Sequence, residues 1–392
     1  MALKDKLMTL EDFKAVRDVD VASNSAQFTE IKADLDALEP GLSAEAKAAL
    51  LACFENVAWI GQDGQNYYDA LETALTGTPE TYSTVLYNDG TLIINERGRR
   101  RASNIEKHGS VVSEYPPLDE SHSYSFTVNM SNFSSTAYWY ENRANITKVE
   151  IGSRISPTRI QGWFCGLLNC VSMDLALIDV SKVTNARCAF YGCASLASID
   201  TSRLAFSSKL SDALGLFRGC SSIERLDIST WDFSNVYTIT DFLNGCSSLQ
   251  SVMLPDLSKT AETDTDLTGT MFVFKDCSNL VSIDLSRFNT SKSNNFRGLF
   301  DGCARLTEID ISNFDVSLVA NTTEMFRSCS MLRTIKSTNN LNTSTNTNSA
   351  NMFLGCTSLI GGNGTTYNSS YVDKTRARID GGTSAPGYFT AA

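Results

Sequence analysis

The chain of 392 residues is longer than one ordinary hydrophobic core supports, so two or three units are expected. Its 42% hydrophobic and 20% charged composition is that of a globular protein, and no stretch approaches the roughly 20 apolar residues of a membrane-spanning helix. A formal net charge of -11 argues against a sequence-independent grip on nucleic acid, which needs clustered Lys and Arg.

Residues 1–80 read as helical, an oligomerisation or attachment segment. Met1 to Met8 carry no apolar core of signal-peptide length, and Gly387 to Ala392 form no hydrophobic tail, so the standard secretory route is not expected. Thr9 can cap a helix over Leu10 to Val19. Phe28, Ile31, Leu35 and Leu38 recur at spacings of 3, 4 and 3, the seam of a short coiled coil that Pro40-Gly41 ends. Such a seam predicts a homo-oligomer, with a trimer favoured. Two more helices are expected, one from Ser43 through Phe54 and one from Gln65 to Leu75.

Residues 81–145 read as a small β-rich unit. Tyr82 to Tyr87, then Asn88-Asp89-Gly90, then Thr91 to Asn95 make a hairpin, because apolar alternation flanks an Asp-Gly turn. Further strands are predicted at Ser123 to Met130 and Ala137 to Tyr140, and Ile146 to Ile151 leads onward. The basic run Arg97, Arg99, Arg100, Arg101 reads as a solvated turn.

From residue 146 to 392 the chain repeats itself. Eight segments share an aromatic residue or Leu, two residues, then Cys. The cysteines are Cys170, Cys193, Cys220, Cys246, Cys277, Cys303, Cys329 and Cys356, separated by 23, 27, 26, 31, 26, 26 and 27 residues. An apolar residue follows each: Met173, Leu196, Ile223, Leu249, Leu280, Leu306, Leu332 and Leu359. Period-2 alternation comes next in the best copies, as in Ile199-Asp200, Leu226-Asp227-Ile228-Ser229, Ile283-Asp284-Leu285-Ser286 and Ile309-Asp310-Ile311-Ser312. A unit of this length cannot bury its own apolar face, so units are expected to stack with Leu, Ile, Phe and Cys in shared inner columns. In the first copy the stretch after Met173 falls two residues out of register, which suits a capping coil. The gap of 31 holds an acidic, Thr-rich insertion over Lys259 to Thr270.

These columns can be weighed for chemistry. The eight repeat cysteines read as a structural ladder of buried thiols, since zinc needs four ligands converging on one point. Cys165 and Cys188 each precede a repeat cysteine by five residues, which predicts neighbouring positions on adjacent coils and leaves a disulfide open. Asp200, Asp227, Asp284 and Asp310, with Ser202, Ser229, Ser286 and Ser312 two residues on, form an outward polar stripe. That stripe, with Trp231, is the candidate ligand surface; simple solubility and strand-end hydrogen bonding is the competing reading, and for Trp231, Phe288 and Phe314 core or flank packing is favoured over ligand stacking. The two histidines, His108 and His122, are expected at the surface. No motif for a catalytic triad, a phosphate loop or a metal site is present, so no enzyme, cofactor or metal is expected.

The runs Phe300-Asp301-Gly302-Cys303-Ala304-Arg305-Leu306-Thr307-Glu308-Ile309-Asp310-Ile311-Ser312 and Phe217-Arg218-Gly219-Cys220-Ser221-Ser222-Ile223 resemble the BspA-like leucine-rich repeats of bacterial surface proteins. Gly361-Gly362-Asn363-Gly364-Thr365 through Phe389 resembles the closing segment of such arrays. The resemblance implies an α+β protein: a leucine-rich-repeat solenoid of about eight repeats behind a β unit and a helical segment, used for adhesion or binding. Lys6 to Phe13 and Ala49 to Phe54 also resemble the helical starts of structural proteins in phages of gut bacteria. Two expectations follow. One is a virion tail-fibre or receptor-binding protein, docked to other tail proteins by its N-terminal helices and facing a host surface protein or glycan. The other is a BspA-like adhesin at the bacterial cell surface. Neither involves nucleic acid or membrane insertion.

Overall fold

The computed structural model describes residues 82–97, 100–116, 128–129, 134–135, 137–257, 270–288, 290–291 and 293–392. The helices expected over 1–80 and their coiled-coil seam, most of the strand expected at 123–130, and His122 lie outside the described residues.

The hairpin forms where the Asp-Gly turn places it. Strand β1 (Tyr82–Tyr87) pairs antiparallel with β2 (Thr91–Arg97), and the Asp89 carboxylate accepts from the Thr91 amide at 2.8 Å. Helix α1 (Arg101–His108) and strand β3 (Val111–Tyr115) follow, and β3 pairs antiparallel with β1. Within the basic run, Arg101 is not part of a solvated turn. Arg101 opens α1 and is held by Glu96 at 2.6 Å, Glu114 at 3.0 Å and Ser83 at 2.7 Å. Glu96 is 1% exposed, so a buried carboxylate here requires a cation, and Arg101 supplies it. Strands β4 (Val128–Asn129) and β5 (Ser134–Ser135) make a two-residue ladder.

Ala137 to Tyr140 is not a strand. It turns into a 3-10 helix over Tyr140–Asn145. Trp139 and Tyr140 are both buried, whereas a strand would send neighbours to opposite faces. Trp139 plugs the first coil, its indole N–H donating to the Trp163 carbonyl at 2.9 Å.

Strand β6 (Lys148–Ile151) lies parallel to β2, and β7 (Ser172–Asp174) lies parallel to β6. One mixed sheet of order β3-β1-β2-β6-β7 thus joins the hairpin to the repeats. Beyond it, β8 (Arg225–Asp227) pairs with β9 (Ser251–Met253). Strands β10 (Glu308–Asp310), β11 (Thr334–Ser337) and β12 (Phe389–Ala391) form a third parallel group. The expected solenoid of about eight strand-bearing repeats is not shown: among the described residues the strands form one mixed five-stranded sheet, two short parallel sheets and one antiparallel two-residue ladder, with a single α-helix. Neither Ile199-Asp200 nor Ile283 to Ser286 is a strand. For the first the reason is local. After Asp200 the chain enters a 3-10 turn over Thr201–Leu204, which cuts the extended segment short; the Asp side-chain turn does not itself exclude a strand, since Asp227 and Asp310 make the same turn at the ends of β8 and β10.

What binds one repeat to the next lies inside. Phe164 stacks on Phe190 and Phe190 on Phe217, with ring centroids 5.2 and 5.3 Å apart. Phe274, Phe300, Phe326 and Phe353 stack in the same way at 5.5, 5.7 and 5.8 Å. The backbone amide of each ring residue donates to the next coil, as in Phe190 N to Leu216 O at 3.0 Å and Phe300 N to Met325 O at 2.9 Å. Repetition at equal spacing is what permits this, since identical side chains then meet at each interface.

The ring column also corrects the register of the first repeat. Phe164, not Leu167, is the partner of Phe190, and Phe164 N donates to Ala189 O just as Phe190 N donates to Leu216 O. Leu167 therefore occupies the ladder-cysteine position, and Cys170 sits in the column of Leu196. Met173 then aligns with Ile199 and needs no register slip. The first coil is regular.

Candidate functional site

The exposed stripe begins with the geometry of its aspartates. Asp200, Asp227, Asp284 and Asp310 are exposed. Their carboxylates accept from the backbone amides of Ser202, Ser229, Ser286 and Ser312 at 3.1, 3.0, 2.9 and 2.9 Å. The Ser202 and Ser229 hydroxyls also donate to Asp200 and Asp227, at 2.6 and 2.7 Å. These are Asx turns, which end β8 and β10 at Asp227 and Asp310 and follow irregular extended segments at Asp200 and Asp284. The serines close the turns and add no second stripe. Hydrogen bonds from the Ser202, Ser229 and Ser312 hydroxyls, and from the Ser286 amide, hold the four carboxyls below their ordinary range, so all four are ionised at neutral pH.

The corrected register adds members that the spacing of cysteines concealed. Asp174 stands in the same column, accepting from Ala176 N at 3.1 Å. Glu150 faces it directly across the β6–β7 pair. Counting Asp174 as the first row, Met253 is 58% exposed in the fourth, and Lys336 pairs with Glu308 at 2.6 Å in the seventh. Trp231 does not belong to this surface. It is 3% exposed, donates its indole N–H to Thr201 O at 3.2 Å, and packs edge-on against Phe206 at 4.8 Å. Phe288 and Phe314 are buried as well, stacked on each other at 5.8 Å.

The cysteines lie on the inside. Seven of them form a ladder in which each Sγ points to a carbonyl of the preceding coil: Cys193 to Phe164, Cys220 to Phe190, Cys246 to Phe217, Cys277 to Leu243, Cys303 to Phe274, Cys329 to Phe300 and Cys356 to Phe326, at 2.8 to 3.3 Å. Cys170 stands apart, its Sγ near Ser172 O at 3.3 Å. Burial pushes the Cys246 and Cys356 thiols up to about 12 and the rest of the ladder well above the usual thiol range. Protonated and buried, they pack as small apolar groups with one weak donor.

Cys165 and Cys188 are free thiols, and the premise for a bridge fails. Cys188 shares its left-handed backbone with Gly162, at φ 53° and 65°, which makes those two the equivalent positions. Cys165 instead aligns with Tyr191. Both thiols pack against Tyr191, and burial pushes each up to about 12.

His108 is not a surface residue. It is 5% exposed at the end of α1, its Nδ1 is 2.9 Å from Asp89 Oδ2, and its ring centroid is 5.6 Å from that of Tyr87. Its Nε2 is buried without a hydrogen-bond partner among the described residues. Among the described residues, no group of three or more His, Cys, Asp or Glu could hold a metal ion. No described helix is long and apolar enough to cross a membrane.

Comparison with protein families follows the same repeats. A family model described as a Mycoplasma protein of unknown function, DUF285, matches residues 158–271 and again 261–367. Together the matches span more than half of the chain. The chain belongs to the DUF285 family. The two DUF285 matches meet at residues 261–271, where the acidic insertion lies. The solved structure of a leucine-rich repeat protein from Eubacterium ventriosum is similar at 13% identity, over 64% of this chain and 82% of that one, with a TM-score of 0.22. At that score the likeness carries no weight beside the ring and thiol columns. Curated proteins give no match.

Proposed function

We propose that this DUF285 chain is a non-catalytic recognition or structural protein, a leucine-rich-repeat solenoid that presents its strand face to a surface protein or glycan. One observation supports the reading above others. The outward column Asp174, Asp200, Asp227, Asp284 and Asp310 sets exposed carboxylates in rows on a braced backbone, while the described groups suited to chemistry, ten thiols and His108, are buried. A rigid, exposed, periodic surface is what a repeat array offers a ligand.

The location we infer is the bacterial cell surface, the adhesin reading, which is in keeping with the BspA-like character of the repeats. A tail fibre or receptor-binding protein of a phage particle is the second reading. It rests on the helical sequence of residues 1–80, which would carry the trimer and dock to other virion proteins. Binding of the labelled full chain to bacterial cells and to a glycan array tests the shared claim. Asp227→Asn with Asp284→Asn and Asp310→Asn keeps the turn acceptors and removes three charges, so binding should fall at least about tenfold with an unchanged circular dichroism spectrum. Undiminished binding would exclude this face. Immunogold labelling of producing cells and of particles released on lysis separates the two locations.

A further inference from the structure

Half-buried arginines in the hairpin and the stack meet buried carboxylates: Arg101 pairs with Glu96 at 2.6 Å, Arg187 with Asp212 at 2.9 Å, Arg218 with Asp241 at 3.0 Å and Arg327 with Asp301 at 2.8 Å. Arg376 and Arg378, in the closing loops, are half-buried too. Among the described residues neither pairs with a carboxylate. Arg376 donates from Nη1 and Arg378 from Nε to one acceptor, the Pro386 carbonyl, at 3.0 Å each. The two bonded nitrogens are therefore no more than about 6 Å apart, a separation at which like charges repel. The carboxylates beside them in sequence are engaged elsewhere. Asp373 accepts from the amide and the hydroxyl of Thr375 at 3.0 and 2.7 Å, and Asp380 is held by the amides of Asn363, Thr365 and Gly382.

The pair is fixed in place from several sides. The carbonyls of Arg376 and Arg378 accept from the amides of Tyr388 and Phe389 at 2.9 and 3.0 Å, and Ala377 O between them accepts from Leu341 N at 2.7 Å. The Arg376 guanidinium lies over the Tyr371 ring, 4.2 Å from its centroid. Apart from the bonds to Pro386, the two planar forks have no hydrogen-bond partner among the described residues. Two cations held together on a rigid support are preorganised for an anion that relieves their repulsion. A carboxylate has oxygens enough for one fork, whereas a tetrahedral phosphate or sulfate offers acceptors to both.

We propose that Arg376 and Arg378 form an oxyanion site at the C-terminal end of the stack, which takes a phosphate or sulfate group, free or carried on a polymer. The chain as a whole has a net charge of -11 and repels anions, so binding rests on the forks at short range. The site is separate from the strand face and opposite to it in charge.

Titration calorimetry of the full chain with inorganic phosphate, inorganic sulfate and polyphosphate tests this. Saturable binding is expected, and Arg376→Gln with Arg378→Gln should weaken it at least about tenfold. Arg378→Lys keeps the charge and loses the fork, and should weaken it at least about threefold. Hydrogen exchange in residues 371–388 should slow when phosphate is added, with residues 137–257 unchanged. Polyphosphate bound at least about tenfold more tightly than inorganic phosphate assigns the site to a polymer-borne group, and equal affinity assigns it to the free ion. No saturable binding of any of the three anions would overturn the proposal, as would an affinity unchanged by the double substitution. If the double variant misfolds, Arg378→Lys decides, and an unchanged affinity there refutes the site.

Discussion

The two ends of the repeat stack are closed by different devices. At the N-terminal end the hairpin adds β2, β1 and β3 beside β6, so the exposed strand edge is met by more sheet. Its polar interior is a network in which Glu96 receives Arg101, Asn104 and the Tyr87 hydroxyl; burial and then the Glu96 hydrogen bond push that phenol well above its usual range. At the C-terminal end the chain closes on itself. Strand β12 pairs with β11, and Tyr388 and Phe389 seat their rings against Phe353 at 5.1 and 6.3 Å, ending the column. One carboxylate organises the returning loops. Asp380, 2% exposed, accepts from the amides of Asn363, Thr365, Gly382 and Gly387 and from the Thr365 hydroxyl, at 2.7 to 3.3 Å. The contrast teaches that a repeat stack needs its end faces covered, and that either an added sheet or a knotted loop will serve.

The sharpest way to break this comparison is at the end of the ring column. Tyr388→Ala removes a fully buried side chain and should cost about 3–5 kcal/mol, seen as an early urea transition in the 308–392 region by hydrogen exchange. A change confined to the loop would show that the ring column does not depend on its cover. Next, Glu96→Gln leaves Arg101 without a buried counter-charge and should cost about 2–3 kcal/mol. Exchange should rise in residues 82–116 and remain unchanged beyond 270; a uniform effect would contradict a local closing device.

Asp380 carries a pH signature. Burial alone would raise its carboxyl, but the hydrogen bonds from Thr365, Gly382 and Asn363 prevail and pull it from 3.8 to about 2. A depressed folded value means that the stabilisation, about 2 kcal/mol, is complete above the unfolded carboxyl range. It is lost as the pH falls from about 4 toward 2. Asp380→Asn should lower stability at pH 7 by that amount and flatten the acid limb of a stability–pH curve; an unaltered acid limb would remove Asp380 from the account. The smallest effect belongs to the exposed face. Asp227→Asn keeps a turn acceptor and should shift stability by less than about 0.5 kcal/mol, a control for the binding experiment.

Much of this was legible in the residues. Stacking demands the same side chain at each interface, so Phe, Cys and Leu return at a nearly fixed interval that can be read off the chain. The Asp column was legible for the same reason. The first coil misled because Cys170 stands three residues after Leu167, as the ladder cysteines stand after their rings, although it occupies the leucine column. Only the ring contact between Phe164 and Phe190 exposes that coincidence. The burial of His108 and the pairing of Arg101 were not legible, since each depends on carboxylates brought near by the hairpin.

By itself the sequence determined the period of the array, its inner columns and the hairpin turn, because these follow from local spacing and from side chains that must match their copies. The tertiary structure decided the rest: which residue begins the first coil, which aspartates face outward in line, and which cysteines share an inner column. Those outcomes depend on which coil sits against which. Residues far apart in the chain supply them jointly, and no single segment encodes them.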